Sequence, residues 1–208
     1  MKRNRFIILL ILLLLLFLAQ GCSYAHWEDY STIWSSETTG IEPTTPTNII
    51  IHTDLYEITE TDGRYNYTLF DKTGKIVKAE SNLTRQPEIT HIENDVIRII
   101  MQAGTGIGTQ WGFYYNQKNN SISATYHCIF DEKNGLVAHA TADKIVVESI
   151  YKSDDAYYKE IDTFQKPLSE VAFPFIDAVF SENGETISVH YHSGYDYEET
   201  TEVFTLVN

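Results

Sequence analysis

Short β-branched and aromatic runs separated by turn residues dominate the chain after Thr47, and they constrain the fold more than any other feature. No long stretch shows the 3.6-residue period of an amphipathic helix, so the pattern predicts strands. Residues that tolerate positive φ stand where hairpins would reverse. These are Asp62-Gly63, Lys72-Thr73-Gly74, Asn134-Gly135 and Asn183-Gly184. We therefore predict an all-β, antiparallel domain over residues 48–208.

An aromatic strand recurs along this domain, and each copy ends before an aspartate or an asparagine. The copies span residues 65–70, 111–115 and 157–161. Fixed periods of about 40 to 45 residues with four strands per unit are typical of β-propeller blades. The spacing predicts a small four-bladed, propeller-like repeat fold, closed by strands in 48–59 that share a sheet with the C-terminal strand 198–206. A β-sandwich or barrel, whose strand and turn lengths give the same spacing, is the alternative.

The first 22 residues have a different character. Basic residues at positions 2, 3 and 5 precede an apolar run from Phe6 to Ala19, which is followed by Gln20, Gly21 and Cys22. As a helix this run would cover only about 21 Å of a roughly 30 Å hydrocarbon core. A secretory h-region behind a basic segment runs roughly 7 to 15 residues. We therefore predict a signal peptide over residues 1–21, with an uncleaved anchor helix and an incidental cysteine as the alternative.

The segment from Leu18 to Cys22 resembles the lipobox of bacterial lipoproteins, which is cut by signal peptidase II. Ala19 stands where that family more often has leucine. The resemblance covers about a tenth of the chain. It implies that Cys22 is the lipidation site, and that the protein is anchored through it to the cell membrane, facing the extracytoplasmic side. The β-rich domain resembles no family specifically.

Lipidation at Cys22 would divide the exported part into a Ser/Thr/Pro-rich tether over residues 22–47 and the β-domain over 48–208. It would also leave Cys128 as the only thiol, so no intramolecular disulfide could form. The domain must then be held together by its core, and the 187 residues after the cut suffice for one.

Net charge narrows the range of partners. Removal of the signal peptide leaves 12 basic and 29 acidic residues, a net charge of −17 against −14 for the full chain. Nucleic acids bind through Lys and Arg side chains that neutralise phosphates. We therefore expect no nucleic-acid partner, and we leave the protein or small-molecule partner open.

Two local motifs invite a chemical interpretation that their context does not support. Gly104, Gly106 and Gly108 precede an aromatic strand instead of the helix that a phosphate loop requires, so we predict a connection between strands. His127 and Cys128 would point to opposite faces of a strand, which favours a buried apolar thiol over a reactive pair.

His190 and His192 flank one residue in a predicted strand, so both imidazoles would share one face with metal-competent spacing. A third ligand would have to come from elsewhere, with Asp177, Asp196 or His52 as guesses. Polar residues on a solvated sheet face explain the same pattern, and we predict no metal site and no cofactor.

Acidic and aromatic residues give two further weak candidates. Asp154-Asp155 or Glu198-Glu199 could contribute to the carboxylate pair of a glycosidase. A stacking surface for sugar or peptide could form from a set of aromatic residues, although such residues in all-β domains usually belong to the core. The set is Trp111, Tyr191, Tyr195 and Tyr197.

The sequence thus predicts a membrane-anchored extracytoplasmic lipoprotein whose β-domain is a non-catalytic ligand-binding or protein-interaction module. The alternative is a cell-envelope hydrolase that acts on glycan or peptide. The two differ in whether the fold gathers two carboxylates, or a histidine with carboxylates, in one concave pocket.

Overall fold

The computed structural model describes residues 47–93 and 95–206, which form sixteen β-strands and one turn of 3-10 helix at Ile107–Thr109. All strand pairings within the sheets are antiparallel, so the predicted all-β antiparallel fold is confirmed. The predicted signal peptide, Cys22 and the tether up to residue 46 lie outside the described residues. Within the described ranges, no helix has the length and apolar character needed to cross a membrane.

Four sheets follow one another along the chain, and each is a meander of consecutive strands. The first sheet contains β1 (Asn48–His52), β2 (Tyr56–Thr61), β3 (Arg64–Phe70) and β4 (Ile76–Leu83). The second contains β5 (Glu88–Glu93), β6 (Val96–Gln102), β7 (Gln110–Asn116) and β8 (Ser121–Ile122), with β9 (Tyr126–His127) also paired to β7.

The third and fourth sheets repeat this plan. The third contains β10 (Ile129–Lys133), β11 (Leu136–Ala140), β12 (Ile145–Ser149) and β13 (Tyr158–Ile161). The fourth contains β14 (Phe175–Phe180), β15 (Thr186–Ser193) and β16 (Glu198–Thr205). None of the four closes on itself among the described residues, and both the propeller-like and the sandwich descriptions fit sheets of this kind.

The turns predicted from sequence all lie between paired strands. Asp62 and Gly63 connect β2 to β3 with φ of 53° and 71°, the two positive values of a type I′ hairpin. Asn134 and Gly135 do the same between β10 and β11, with φ of 52° and 77°. Gly74 and Gly184 also have positive φ in the β3–β4 and β14–β15 connections.

The sequence predicted that strands from the two ends of the domain share one sheet, and the strand pairing shows that this prediction is wrong. β1 pairs with β2 in the first sheet, and β16 pairs with β15 in the fourth. Each strand thus finds its partner across a short turn, where little chain entropy is lost on closing the loop. The spacing seen in the sequence reflects the length of one sheet, because the four sheets begin at Asn48, Glu88, Ile129 and Phe175.

Buried side chains show that sheets adjacent in sequence pack face to face. One apolar cluster joins the first and second sheets, and another joins the third and fourth. A smaller cluster joins the second and third sheets through Tyr114, Tyr126, Ile129, Val137 and Ile150. The two inner sheets therefore bury both of their faces.

Strand alternation explains how the inner sheets serve two neighbours. On β7, Phe113 and Tyr115 belong to the cluster with the first sheet, whereas Tyr114 belongs to the cluster with the third. On β11, Ala138 packs towards the fourth sheet and Val137 towards the second. Successive side chains of a strand point to opposite faces, so one strand presents two different surfaces.

Candidate functional site

A buried ion pair links the second and third sheets. Arg98 on β6 donates through Nη1 to Oε1 and Oε2 of Glu132 on β10, at 2.9 and 2.7 Å. Only 18% of the Arg98 side chain and 14% of the Glu132 side chain are exposed. A buried pair of this kind fixes the position of both partners, because moving either one leaves a charge without compensation.

Tyr114 on β7 completes this network by donating its hydroxyl to Oε2 of Glu132 at 3.1 Å. Burial, followed by the negative charge of Glu132, raises the pKa of Tyr114 well above its ordinary value. The phenol therefore remains a hydrogen-bond donor at any physiological pH and holds Glu132 in place.

A second polar contact lies on the same face of the third sheet. Nε2 of His139 on β11 is 3.0 Å from Oε1 of Glu148 on β12, and the His139 ring lies 5.0 Å from that of Tyr126. Burial lowers the pKa of His139, although Glu148 opposes this shift. The neutral imidazole donates from Nε2 to Glu148, which leaves Nδ1 as a buried acceptor without a partner among the described residues. We call this set the polar interface: Arg98, Tyr114, Glu132, His139 and Glu148.

A cleft of about 290 Å³ opens between the second and third sheets and shares Glu132 with the polar interface. We call it the Tyr151 cleft. Its lining consists of Ile92, Val96, Asn116, Lys118, Glu132, Lys133, Asn134, Gly135, Ile150 and Tyr151. An apolar lining with a few convergent polar groups is the usual composition of a small-molecule site.

Backbone hydrogen bonds hold the walls of the Tyr151 cleft. Ile150 N–H donates to the Gly135 carbonyl at 2.9 Å, and the Ile150 carbonyl accepts the Tyr126 hydroxyl at 2.8 Å. On the opposite wall, Oδ1 of Asn116 accepts from the Lys118 N–H at 2.9 Å and shapes the turn after β7. The cleft is thus built on turns that are fixed before any ligand arrives.

Tyr151 contributes a polar group that the protein leaves unused. Its hydroxyl is buried and has no hydrogen-bond partner in the described part of the chain. Burial, with a smaller contribution from Tyr126, raises the pKa of Tyr151 to about 12. A buried hydroxyl without a partner costs about 1–3 kcal/mol, and this one has almost no accessible surface.

A larger cleft, which we call the His52 cleft, lies against the first sheet. It measures about 600 Å³ and is lined by His52, Thr53, Asp54, Phe70, Asp71, Lys72, Gly74 and Gln117. It therefore gathers one histidine and two aspartates, the combination that would favour a hydrolase.

Hydrogen bonding argues against acid–base chemistry in the His52 cleft. Oδ1 of Asp71 accepts from the hydroxyl and N–H of Thr73 at 2.6 and 2.8 Å and from the Lys75 N–H at 3.0 Å. These bonds, led by the one from the Thr73 hydroxyl, lower the pKa of Asp71, whereas a general acid at neutral pH needs a raised one. Nδ1 of His52 is paired with Glu57 at 3.0 Å. The hydrogen bonds to the Asp71 carboxylate therefore stabilise the turn between β3 and β4.

The predicted histidine pair lies on one face of β15, as its spacing indicates, and Asp177 on β14 stands opposite His190. Nε2 of His190 is 3.6 Å from a Glu199 carboxylate oxygen, and Nδ1 of His192 is 3.3 Å from the Tyr197 carbonyl. No group of three or more His, Cys, Asp or Glu residues within 47–93 and 95–206 could hold a metal ion. This arrangement matches a solvated polar sheet face.

Cys128 lies at a bend between β9 and β10, with φ of 47°, instead of on a strand. Its side chain is buried as predicted, while its neighbour His127 is exposed. Burial raises the pKa of Cys128 to about 11, so the thiol remains protonated. The three glycines occupy the loop from β6 to β7, as predicted for a connection between strands, and this connection lies within the second sheet.

The predicted aromatic surface is not assembled. Tyr191 is fully buried in the core of the third and fourth sheets, and Trp111 packs against the cluster of the first and second. Tyr195 and Tyr197 are 82% and 55% exposed in the β15–β16 connection. Of the carboxylate pairs, 154–155 lies in the loop after β12, whereas 198–199 begins β16.

Sequence reasoning missed the residues of the polar interface and of the Tyr151 cleft. One signal was available, because Arg98 interrupts the apolar run of β6 and a charge inside such a strand needs a buried partner. Apart from the predicted Asn134-Gly135 turn, the other residues carry no motif, since they come from six separate strands and from turns that follow them.

No family model matches the chain, and no curated protein matches it. The chain is similar in structure to the computationally designed Ika4 protein, with 12% identity, 82% of this chain and 96% of that chain covered, and a TM-score of 0.37. It is also similar to Hsv2 of Kluyveromyces lactis, with 7% identity, coverage of 77% and 61%, and a TM-score of 0.29. These TM-scores are too low to support an argument about fold or function.

Proposed function

We propose that the protein is a membrane-anchored extracytoplasmic lipoprotein whose β-domain is a non-catalytic ligand-binding module, with the Tyr151 cleft as its ligand site. The lipobox resemblance at Leu18 to Cys22 supports the anchor. The anchor would hold the acidic β-domain at the outer side of the cell membrane.

One observation carries the binding function. The Tyr151 cleft combines apolar side chains, those of Ile92, Val96 and Ile150, with the polar groups of Asn116 and Glu132, which hydrogen bonds hold in place. Its walls are held by the Arg98–Glu132 pair and by the hydrogen bonds of Ile150. A site that is formed in advance loses little entropy when a ligand binds.

The anchor is tested by Cys22→Ala in cells supplied with an alkyne-bearing palmitate. We expect loss of the label and of partition into a detergent phase, while the β-domain keeps its circular dichroism spectrum. Cys128→Ala is the matched control and should label as the wild type does. Labelling that persists in Cys22→Ala would show that this cysteine does not carry the lipid.

The ligand site is tested with the full chain in lipid nanodiscs and three probes of similar size: phenylacetate, phenylacetamide and 2-phenylethylamine. We expect saturation-transfer NMR to detect at least one bound probe, and Ile92→Trp to abolish that binding by filling the cleft. Lys72→Trp fills the His52 cleft instead and should leave binding unchanged. Thermal unfolding establishes that both variants fold.

The opposite result would place the ligand site outside the Tyr151 cleft. If Lys72→Trp abolishes probe binding and Ile92→Trp does not, the Tyr151 cleft is not the ligand site. Equal binding by wild type and both variants would place the probes on the lipid or on another surface, and would equally contradict the proposal.

A further inference from the structure

The fourth sheet has one strand fewer than the first and third sheets. Those two sheets contain four strands each, whereas β14, β15 and β16 are the three strands of the fourth among the described residues. β16 lies at the edge of this sheet, and all eight of its residues pair with β15 without a shift of register. β16 therefore presents a long, regular edge.

The other sheet edges carry features that oppose the addition of a strand. The register shifts, as at a β-bulge, within the pairings of β1, β4, β5, β10 and β14. β8 and β9 have two residues each, and β13 has four. Bulges and short edge strands are among the means by which proteins prevent unwanted strand pairing. Among the edge strands in the described part of the chain, β16 alone is long and regular, and it contains neither Lys nor Pro.

Backbone hydrogen-bonding groups along β16 are unpaired. The Leu206 N–H donates to the Glu185 carbonyl at 2.8 Å, which fixes the phase of the β15–β16 ladder. Because residues of an antiparallel strand alternately face the partner strand and face away, four residues of β16 direct their N–H and C=O groups outwards: Glu199, Thr201, Val203 and Thr205. Lys159 Nζ lies 2.6 Å from the Thr205 carbonyl, and the backbone groups of the other three have no partner among the described residues. A further strand could pair with these groups.

The buried charge on β16 does not close this edge. Glu202 is 9% exposed and accepts hydrogen bonds from the Tyr191 hydroxyl and from the N–H groups of Gln165 and Lys166. These donors belong to β15 and to the segment between β13 and β14, so the carboxylate is compensated inside the domain. An incoming strand would therefore meet no uncompensated buried charge.

The charge at the start of β16 is negative. Glu198 and Glu199 each have 65% of the side chain exposed, and Asp196 is exposed in the preceding turn. Lys166 lies 2.9 Å from Glu198, whereas His190, at 3.6 Å, compensates Glu199 only when its imidazole is protonated. A basic side chain opposite this end of the strand would meet a complementary charge.

Charge also distinguishes the occupants that this edge could accept. Residues 22–46 contain four acidic residues and no Lys or Arg. A second copy would bring the net charge of −17 that the predicted mature chain carries. Both would be repelled by the acidic start of β16, whereas a basic segment of another protein would be attracted to it.

From the open edge and its charge we infer that β16 binds an extended segment of a partner protein, which adds to the fourth sheet as an antiparallel strand with Lys or Arg opposite Glu198 and Glu199. In this mode of recognition the main-chain hydrogen bonds supply affinity and the side chains supply specificity. This interaction surface is separate from the Tyr151 cleft, and it goes beyond the ligand binding proposed above.

The test measures fluorescence anisotropy of labelled eight-residue peptides with the full chain in phosphatidylcholine nanodiscs. The first probe is Thr-Val-Val-Thr-Thr-Val-Lys-Lys, whose antiparallel register places both lysines opposite the start of β16. The second ends in Glu-Glu instead, and the third is the basic peptide with methyl groups on the alternate backbone nitrogens that would face β16. We expect saturable binding of the first, binding about tenfold weaker for the second, and none for the third. Nanodiscs without protein give the background.

Val203→Lys should weaken binding of the basic peptide about tenfold, because Val203 is 65% exposed on the edge strand and a lysine there opposes the incoming strand. Val179→Lys is the matched control. Val179 lies in the same cross-strand row, through Ser188, but on β14, so its substitution should leave binding unchanged. Glu199→Gln should weaken binding of the basic peptide about twofold to fivefold, with Glu182→Gln in the β14–β15 turn as its control. Circular dichroism establishes that all four variants fold.

Equal binding by Val203→Lys and Val179→Lys, or of the methylated and unmethylated peptides, would show that charge alone holds the peptide and would overturn the inference. Absence of binding by all three peptides would also overturn it. A lower unfolding temperature for Val203→Lys than for Val179→Lys would instead assign the edge to residues 22–46. A dimer in detergent that only Val203→Lys dissociates, as measured by sedimentation, would assign it to a second copy. None of these outcomes depends on the Tyr151 cleft, which is tested with different probes.

Discussion

The interface between the first and second sheets and the interface between the second and third sheets are built on opposite faces of the same strands. Towards the first sheet, β6 and β7 present Ile97, Ile99, Phe113 and Tyr115, all buried in one apolar cluster. Towards the third sheet they present Arg98, which is held by Glu132. Both interfaces bury apolar side chains, but the second also contains the Arg98–Glu132 ion pair, whose side chains are only 18% and 14% exposed.

This difference indicates that apolar burial mainly stabilises the packed sheets, whereas the ion pair mainly selects one arrangement of the second sheet against the third. Apolar burial stabilises in proportion to area and tolerates small shifts of one sheet against the other. A buried ion pair adds little net stability, because its desolvation offsets its attraction, but it stabilises only one arrangement. The polar interface therefore sets how the second and third sheets meet, and the Tyr151 cleft lies where that arrangement is fixed.

The largest expected effect comes from Phe113→Ala, which removes a large apolar side chain from the interface between the first and second sheets. Phe113 is fully buried, 6.3 Å from the ring of Tyr67 between centroids, with Lys78 Nζ 4.2 Å from its own centroid. Truncation should cost about 3–5 kcal/mol of unfolding free energy. Urea unfolding followed by circular dichroism measures it, with Ile99→Val as a graded control at about 0.5–1.5 kcal/mol. A loss for Phe113→Ala no larger than that control would contradict this assignment.

Glu132→Gln breaks the ion pair between the second and third sheets. Among the described residues, it leaves Glu88, at 3.9 Å, as the one charged partner of Arg98. We expect a loss of about 2–3 kcal/mol, at the low end for a broken buried pair because both side chains are slightly exposed. The double variant Arg98→Met/Glu132→Met should recover most of this loss. If the double variant is as unstable as Glu132→Gln, the ion pair itself contributes stability and the comparison above is wrong.

Local features of the fold could be predicted from the sequence because their causes are local. Asp62-Gly63 and Asn134-Gly135 form type I′ turns, since both positions need positive φ and these residue types permit it. The polar face of β15 follows in the same way from alternation of His190 and His192. Neither inference depends on which sheet lies beside which.

The arrangement of the sheets could not be predicted, because it depends on contacts between distant residues. Arg98 and Glu132 are 34 positions apart and neither stands in a motif. The four successive sheets agree with the four repeat units predicted, but the strands aligned in that repeat are not equivalent. The first two copies match β3 and β7, the third strands of their sheets, whereas the copy at 157–161 matches β13, the fourth. Similar strands recur in an all-β chain without being equivalent.

Tyr114 and Tyr151 allow a comparison between a hydroxyl that donates a hydrogen bond and a buried hydroxyl without a partner among the described residues. Tyr114→Phe removes the donor to Glu132 and should cost about 1 kcal/mol, or slightly more because the acceptor is charged. Tyr151→Phe removes a hydroxyl without a partner among the described residues, so stability should not fall. A larger loss of stability for Tyr151→Phe than for Tyr114→Phe would show that the Tyr151 hydroxyl is not free.

The smallest expected effect concerns pH and the His139–Glu148 contact. Because burial holds the pKa of His139 below its unfolded value, the unfolded chain takes up a proton first as pH falls. This residue should therefore lower stability progressively below about pH 6.5, the ordinary histidine pKa, and should contribute no pH dependence above it. His139→Gln keeps a donor for Glu148 and should reduce the acid loss, as measured by thermal unfolding between neutral and mildly acidic pH. His190→Gln, on the solvated face of the fourth sheet, should retain it. Equal acid loss in wild type and His139→Gln would mean that the polar interface does not sense pH through this histidine.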